Sequence, residues 1–282
     1  VTTLVWGSTW VVIKDQLGSV PPAWSVTWRF ALAAVGMFAL ALIRRESVRV
    51  GPEAWLLVGT IGFFQFFANF QMVYQAERYL TSGLVAVMFA LLIVPNAVLG
   101  RVLLGRRLGL RFVAGSILAG AGIALLMLHE YRSAPVGGSV LVGLAFTAGS
   151  ILSASIANVL QAGEGARRQS IVVLLAWAML GGAAMDAAWA FATTGPPRID
   201  WTLSYTGGVA YLALIGSVLT FPLYASLLRE WGPGKAAYNG VLIPVVAMAL
   251  STLFEGYHWT LLAGLGAALA IAGLAVALGG RD

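Results

Sequence analysis

The chain has 282 residues, of which 60% are hydrophobic and only 10% charged, with a mean hydropathy of +0.88. A soluble domain carries about 25% charged residues, so this composition cannot cover a water-facing surface and predicts an all-α polytopic membrane protein. The net charge is +6, and the absence of cysteine excludes disulfides and thiolate metal sites.

Crossing a bilayer as a helix takes about 20 apolar residues. Ten runs meet or approach that length: 1–18, 24–43, 53–74, 79–102, 112–129, 138–160, 170–192, 205–228, 234–254 and 259–279. The first opens directly on Val1 with no cleavable leader pattern, and the missing Met leads to the expectation that a few residues precede it. The connections are short and polar, as at Arg44-Arg45-Glu46, Glu164 to Arg168 and Gly195-Pro196-Pro197. The runs are continuous rather than alternating, which argues against a β-barrel.

Basic residues set the orientation of such a bundle. With the N-terminus in the cytoplasm, twelve Lys and Arg fall on inner loops and flanks and five on the outer side. That inequality places both termini inside, in the inner (plasma) membrane. Five spans per half then make the second half inverted relative to the first. A repeat agrees with this: Ala76, Gly83, Pro95 and Gly115 recur as Ala225, Gly232, Pro244 and Gly264, each 149 positions later. Internal duplication in a membrane protein points to secondary transporters, whose substrate site lies between related halves. A duplicated scaffold without transport is the alternative.

Trp6-Gly7-Ser8-Thr9 in the first run, Arg29-Phe30 in the second and the stretch from Gly232-Pro233-Gly234-Lys235 through Pro244 to Phe254-Glu255-Gly256 resemble the EamA family of the drug/metabolite transporter superfamily. Where that family often carries Gly-Glu after the fourth helix, this chain has Gly105-Arg106. The resemblance implies ten transmembrane helices as two inverted five-helix repeats, 1–130 and 138–282, around a central cavity. It implies that the first four helices of each half line the cavity, with the fifth and tenth outside. It also implies export of small metabolites by alternating access. Within the family, the abundance of aromatic residues resembles the YddG-type aromatic amino-acid exporters.

The candidate cavity residues follow from polarity inside apolar runs. Gln65, Asn69, Gln71, Tyr74 and Gln75 lie within eleven residues of the third run, with Gln65 and Asn69 on one helical face. Such groups either line a cavity or join helices by hydrogen bonds. Trp6 and Trp10, four apart, form a second set, with Phe221 and Tyr224 in the eighth run and Tyr238 and Asn239 in the ninth. Their rings either stack on a substrate or pack helices. Pro95 and Pro244 are expected to kink two helices at matching depth. Lys14, Asp15 and Arg29 are expected near the outer mouth as a local ion pair or gate. Asp186 is the one acid inside a span and is expected to be shallow and water-exposed.

No zinc-protease, nucleophile-elbow or phosphate-loop motif is present, so neither an enzyme nor direct ATP drive is expected. No metal or other cofactor is expected, nor nucleic acid as a partner. The expected partners are a small-molecule substrate and the lipid bilayer. The reading is therefore an exporter of amino acids, aromatic ones first, moved by facilitated diffusion or by coupling through the substrate. A multidrug cation exporter and a non-transporting scaffold or receptor remain as alternatives.

Overall fold

The protein is described from a computed structural model covering residues 1–105, 109–133, 139–236, 243–254, 256 and 259–278. Helices follow one another as α1 (Thr2–Gln16), α2 (Pro22–Ile43), α3 (Pro52–Ala76), α4 (Ser82–Leu104), α5 (Leu110–Ser133), α6 (Ser139–Ala162), α7 (Ile171–Thr194), α8 (Leu203–Pro233), α9 (Ile243–Phe254) and α10 (Leu261–Leu278). No strand occurs among the described residues. Six of these helices (α2, α3, α4, α6, α7 and α8) are long and apolar enough to cross a membrane, and α5 and α10 hold shorter apolar stretches.

Local chemistry sets the helix ends. Pro22 opens α2, where its missing N–H costs nothing. Ser170 Oγ accepts from Val173 N at 3.3 Å and Thr202 Oγ1 from Tyr205 N at 3.4 Å, capping α7 and α8. Gly105 closes α4 in the left-handed conformation at φ +67°. Gly232, at φ +79° and ψ 165°, breaks the helix at the end of α8 just before Pro233.

Two helices are interrupted in the same way. Within α3, residues Gly62–Ala68 form wide π-type turns, and within α8 residues Tyr211–Leu219 do the same. Their starts are 149 positions apart, the offset that relates Pro95 to Pro244. π turns splay carbonyls from the helix axis, and here side chains meet them. Ser153 Oγ of α6 donates to Phe64 O at 2.7 Å, and Trp6 Nε1 of α1 donates to Gly216 O at 3.2 Å. In each case the first helix of one segment reaches the third helix of the other.

Packing follows small residues. α5 and α10 run antiparallel with Gly115 and Ala119 against Gly273 and Ala277, and Gly122 against Gly266 and Ala270. α3 and α7 run parallel through Gly62 and Gly182, whose added methyl groups would press on Ala178 O and Phe66 Cβ. α2 packs on α7 and α8, and α1 on α9. Large apolar side chains such as Leu56, Leu110 and Leu253 are largely exposed, as a lipid-facing surface requires.

Candidate functional site

A cavity of about 120 Å³ lies between α1, α2, α3, α4, α6, α8 and α9. It is roughly ten times the space one water needs. Among the described residues, none of α5, α10 or α7 lines it. α7 was expected to line it, but the Gly62 and Gly182 approach seats this helix behind α2 and α3.

Six aromatic residues, Trp6, Trp10, Phe70, Phe89, Phe221 and Tyr224, stand in the wall. Trp6 stands 5.5 Å from Phe221 and 5.0 Å from Tyr224, and Trp10 is 5.0 Å from Phe89. Phe66 sits behind Phe221 at 5.2 Å, and Phe30 against Phe70 at 4.7 Å. Edge and tilted geometries of this kind suit the ring quadrupoles, so the wall is braced by its own contacts.

Polar groups interrupt that wall at few places. Asn69 Nδ2 donates to Gln65 O at 3.3 Å, and its Oδ1 accepts from Ser150 Oγ at 2.8 Å. Asn158 Nδ2 donates to Asn96 Oδ1 at 3.4 Å. Arg29 is 1% exposed, donates from Nε to Ser217 Oγ at 3.4 Å, and lies 4.4 Å from the Phe70 ring centroid and 5.1 Å from that of Phe30. The Thr9 hydroxyl is already engaged, donating to Trp6 O at 2.8 Å.

Of the residues singled out by sequence, Trp6, Trp10, Gln65, Asn69, Phe221 and Tyr224 meet at this cavity. Gln71, Tyr74 and Gln75 stand elsewhere. Gln71 Nε2 donates to Asp186 Oδ1 at 2.8 Å, Tyr74 Oη donates to Gln16 Oε1 at 3.2 Å, and Gln75 Oε1 accepts from Arg78 at 3.1 Å. Tyr238 and Asn239 lie outside the described residues. Pro95 stands three residues past a tightened turn at Ala90–Leu92, and Pro244 is buried in the first turn of α9.

The charged group at the mouth separates. Lys14 Nζ donates to the carbonyls of Glu77 and of Leu80, the latter at 2.9 Å, and so ties α1 to the α3–α4 turn. Asp15 Oδ2 accepts from Ser204 Oγ at 3.1 Å. Arg29 instead turns inward to the cavity, because Ser217 in the widened turns of α8 gives its guanidinium a partner there. Asp186, expected to be shallow and solvated, is fully buried between α7 and α3, with Gln71 supplying its hydrogen bond. Phe70, Phe89 and Ser217 carried no signal of their own in sequence; only the spacing of Phe66 and Phe70 hinted at a shared face. No metal-holding cluster of His, Asp or Glu occurs among the described residues.

Membrane-length apolar helices around a small aromatic cavity define a multi-pass membrane protein with an internal solute-sized compartment. The chain belongs to the EamA-like transporter family, which it matches over residues 1–128 and 136–279. Among curated relatives, a "Probable amino-acid metabolite efflux pump" of Escherichia coli is 26% identical over 96% of this chain and 90% of its own length. An "Uncharacterized inner membrane transporter YedA" of the same organism is 28% identical over 90% and 80%. "Protein PagO" of Salmonella typhimurium is 22% identical over 90% and 83%. A solved crystal structure superposes with a TM-score of 0.74 over 98% of this chain and 93% of its own, at 20% identity, a likeness of fold.

Proposed function

We propose that this membrane transporter exports small metabolites, most of all amino acids with aromatic ones first, by alternating access between two inverted five-helix halves, 1–130 and 138–282. The observation that carries this is the cavity itself. It draws its wall from both halves, pairs aromatic faces with a few placed polar groups, and is the type of site that small molecules occupy. The inverted relation is supported by the antiparallel α5–α10 seam and by π turns that begin 149 positions apart in α3 and α8. The efflux-pump relative supports the amino-acid class. The count of Lys and Arg supports cytoplasmic termini.

Among the described residues that line the cavity none is Asp or Glu. This favours facilitated diffusion, or coupling through the substrate, over a proton relay. The presence of Arg29 in the wall disfavours the cationic-drug reading.

Counterflow in proteoliposomes with no imposed gradient tests the proposal, using a panel of labelled amino acids. Accumulation of labelled phenylalanine, tryptophan or another member, reduced by Trp10→Ala or Asn158→Ala in protein that still elutes as a folded species, is the expected result. Failure of every amino acid in folded wild-type protein would sink it, and retained partner binding without flux would favour the scaffold reading.

A further inference from the structure

Three residues of the cavity wall each hold a buried polar atom with no hydrogen-bond partner: Arg29 Nη1, Trp10 Nε1 and Gln65 Oε1. All three side chains are more than nine-tenths buried, with exposures of 1%, 8% and 5%. Leaving a buried donor or acceptor unpaired costs about 1–3 kcal/mol, and more for a charged group. The most demanding of the three is the cation. The rings of Phe30 and Phe70 and the Ser217 hydroxyl engage parts of the guanidinium, but nothing is bonded to Nη1. Tyr74 shares a side-chain hydrogen bond with the guanidinium and Glu77 adds a charge nearby, yet neither lines the cavity. A guanidinium in an aromatic compartment is matched by a carboxylate, which accepts from it in a planar, charge-assisted geometry. Two further atoms extend the pattern. Trp10 Nε1 is another donor for an anionic group, and Gln65 Oε1 is an acceptor for a substrate N–H or O–H.

We propose that Arg29 is the carboxylate-recognising residue of the cavity and that Gln65 receives a hydrogen from the α-substituent, so the site selects amino acids or hydroxy acids and rejects the corresponding amines. This inference rests on the transport reading above and deepens it. Arg29 is thereby a substrate-binding group rather than an element of a mouth-side gate. The residual charge of the wall is positive, which opposes entry of a lone ammonium and is neutralised when an acid enters.

The test is counterflow in wild-type proteoliposomes with labelled phenylalanine, and separately with labelled phenethylamine, which lacks only the carboxylate. The expected result is exchange of phenylalanine and a weaker response to the amine by about ten-fold or more, as sites built for a polar group reject analogues lacking it. Arg29→Gln should then compress that preference toward parity, and Arg29→Lys should keep part of it with a raised KM. A ratio between two solutes is insensitive to a general loss of folded protein. Equal exchange of acid and amine by the wild type would overturn the inference and leave the transport reading standing. No exchange of either solute, nor of labelled leucine or glutamate, in folded protein would overturn the transport reading and this inference with it.

Discussion

Trp6 Nε1 donates to the Gly216 carbonyl at 3.2 Å, so the first helix is pinned to the widened turns of the eighth at the cavity wall. The same indole packs on Phe221 and Tyr224, which makes it both a strut and a surface. The two roles separate by substitution. Trp6→Phe keeps a ring but loses the donor, and should cost about 0.5–1.5 kcal/mol, the net worth of an ordinary hydrogen bond. Trp6→Ala removes the ring as well and should cost about 3–5 kcal/mol. Thermal unfolding in detergent measures both. Equal melting temperatures for the two variants would mean that Trp6 is not packed as described.

The α5–α10 seam makes a sharper prediction. A methyl on Gly122 would lie 2.3 Å from Ala270 N, and one on Gly115 2.2 Å from Ala277 N, both backbone atoms that cannot rotate away. A methyl on Gly120, two residues from Gly122, meets nothing within 4 Å. Gly122→Val should therefore force the helices apart and cost at least about 1–3 kcal/mol as overpacking. Gly120→Ala should be neutral, or stabilising by up to about 1 kcal/mol through helix propensity. Similar losses of melting temperature for both would contradict the seam.

The helical plan was legible because apolar length is a strong signal, and six of the ten runs coincide with membrane-length helices to within about five residues. The π turns of Gly62–Ala68 were not, because Phe-rich sequence of this kind also suits an ordinary α-helix. What meets them is tertiary: Ser153 arrives from α6 to take the Phe64 carbonyl, as Trp6 takes that of Gly216 in the matching turns of α8. The same reason explains Arg29 and Asp186. Their positions along a helix suggested the mouth and a shallow acid, but Ser217 and Gln71, each more than a hundred residues away, decide where those charges rest. The aromatic part of the site was easier, since Trp6 and Trp10 share a face by spacing alone. The split of the third run's polar residues into a cavity pair, Gln65 and Asn69, and a structural set, Gln71 and Tyr74, required knowing which helices flank each side.

Gln71 and Asp186 join α3 to α7 away from the cavity, so changes there should act on stability before transport. Gln71→Leu leaves the fully buried carboxyl without its donor, at a cost of about 1.5–3 kcal/mol. Asp186→Asn keeps an oxygen acceptor in place and should cost less than half of that. In proteoliposomes corrected for folded protein, Asp186→Asn should retain counterflow within about three-fold, a rate change that corresponds to under 1 kcal/mol. A complete loss of flux in well-folded Asp186→Asn protein would instead make this carboxyl part of the transport cycle.

The orientation rests on charge and can be read directly, because the sequence contains no cysteine to remove first. Ser47, between α2 and α3, and Pro197, between α7 and α8, are both exposed and lie at opposite ends of the bundle. Glu46 bonded to Ser170 and Trp177 Nε1 bonded to Val48 O gather the first end, while Trp24 Nε1 bonded to Gly195 O and Trp28 Nε1 to Arg198 O gather the second. The first end also holds Arg44, Arg45, Arg49, Arg167 and Arg168, the excess that keeps loops on the cytoplasmic side. A membrane-impermeant maleimide added to intact cells should label Pro197→Cys and spare Ser47→Cys, which should react only after the membrane is opened. The reverse pattern would place both termini outside and overturn the orientation read from the loop charges. Labelling of both sites in intact cells would mean that the two ends do not lie on opposite faces of the membrane, which would remove the basis for alternating access between them.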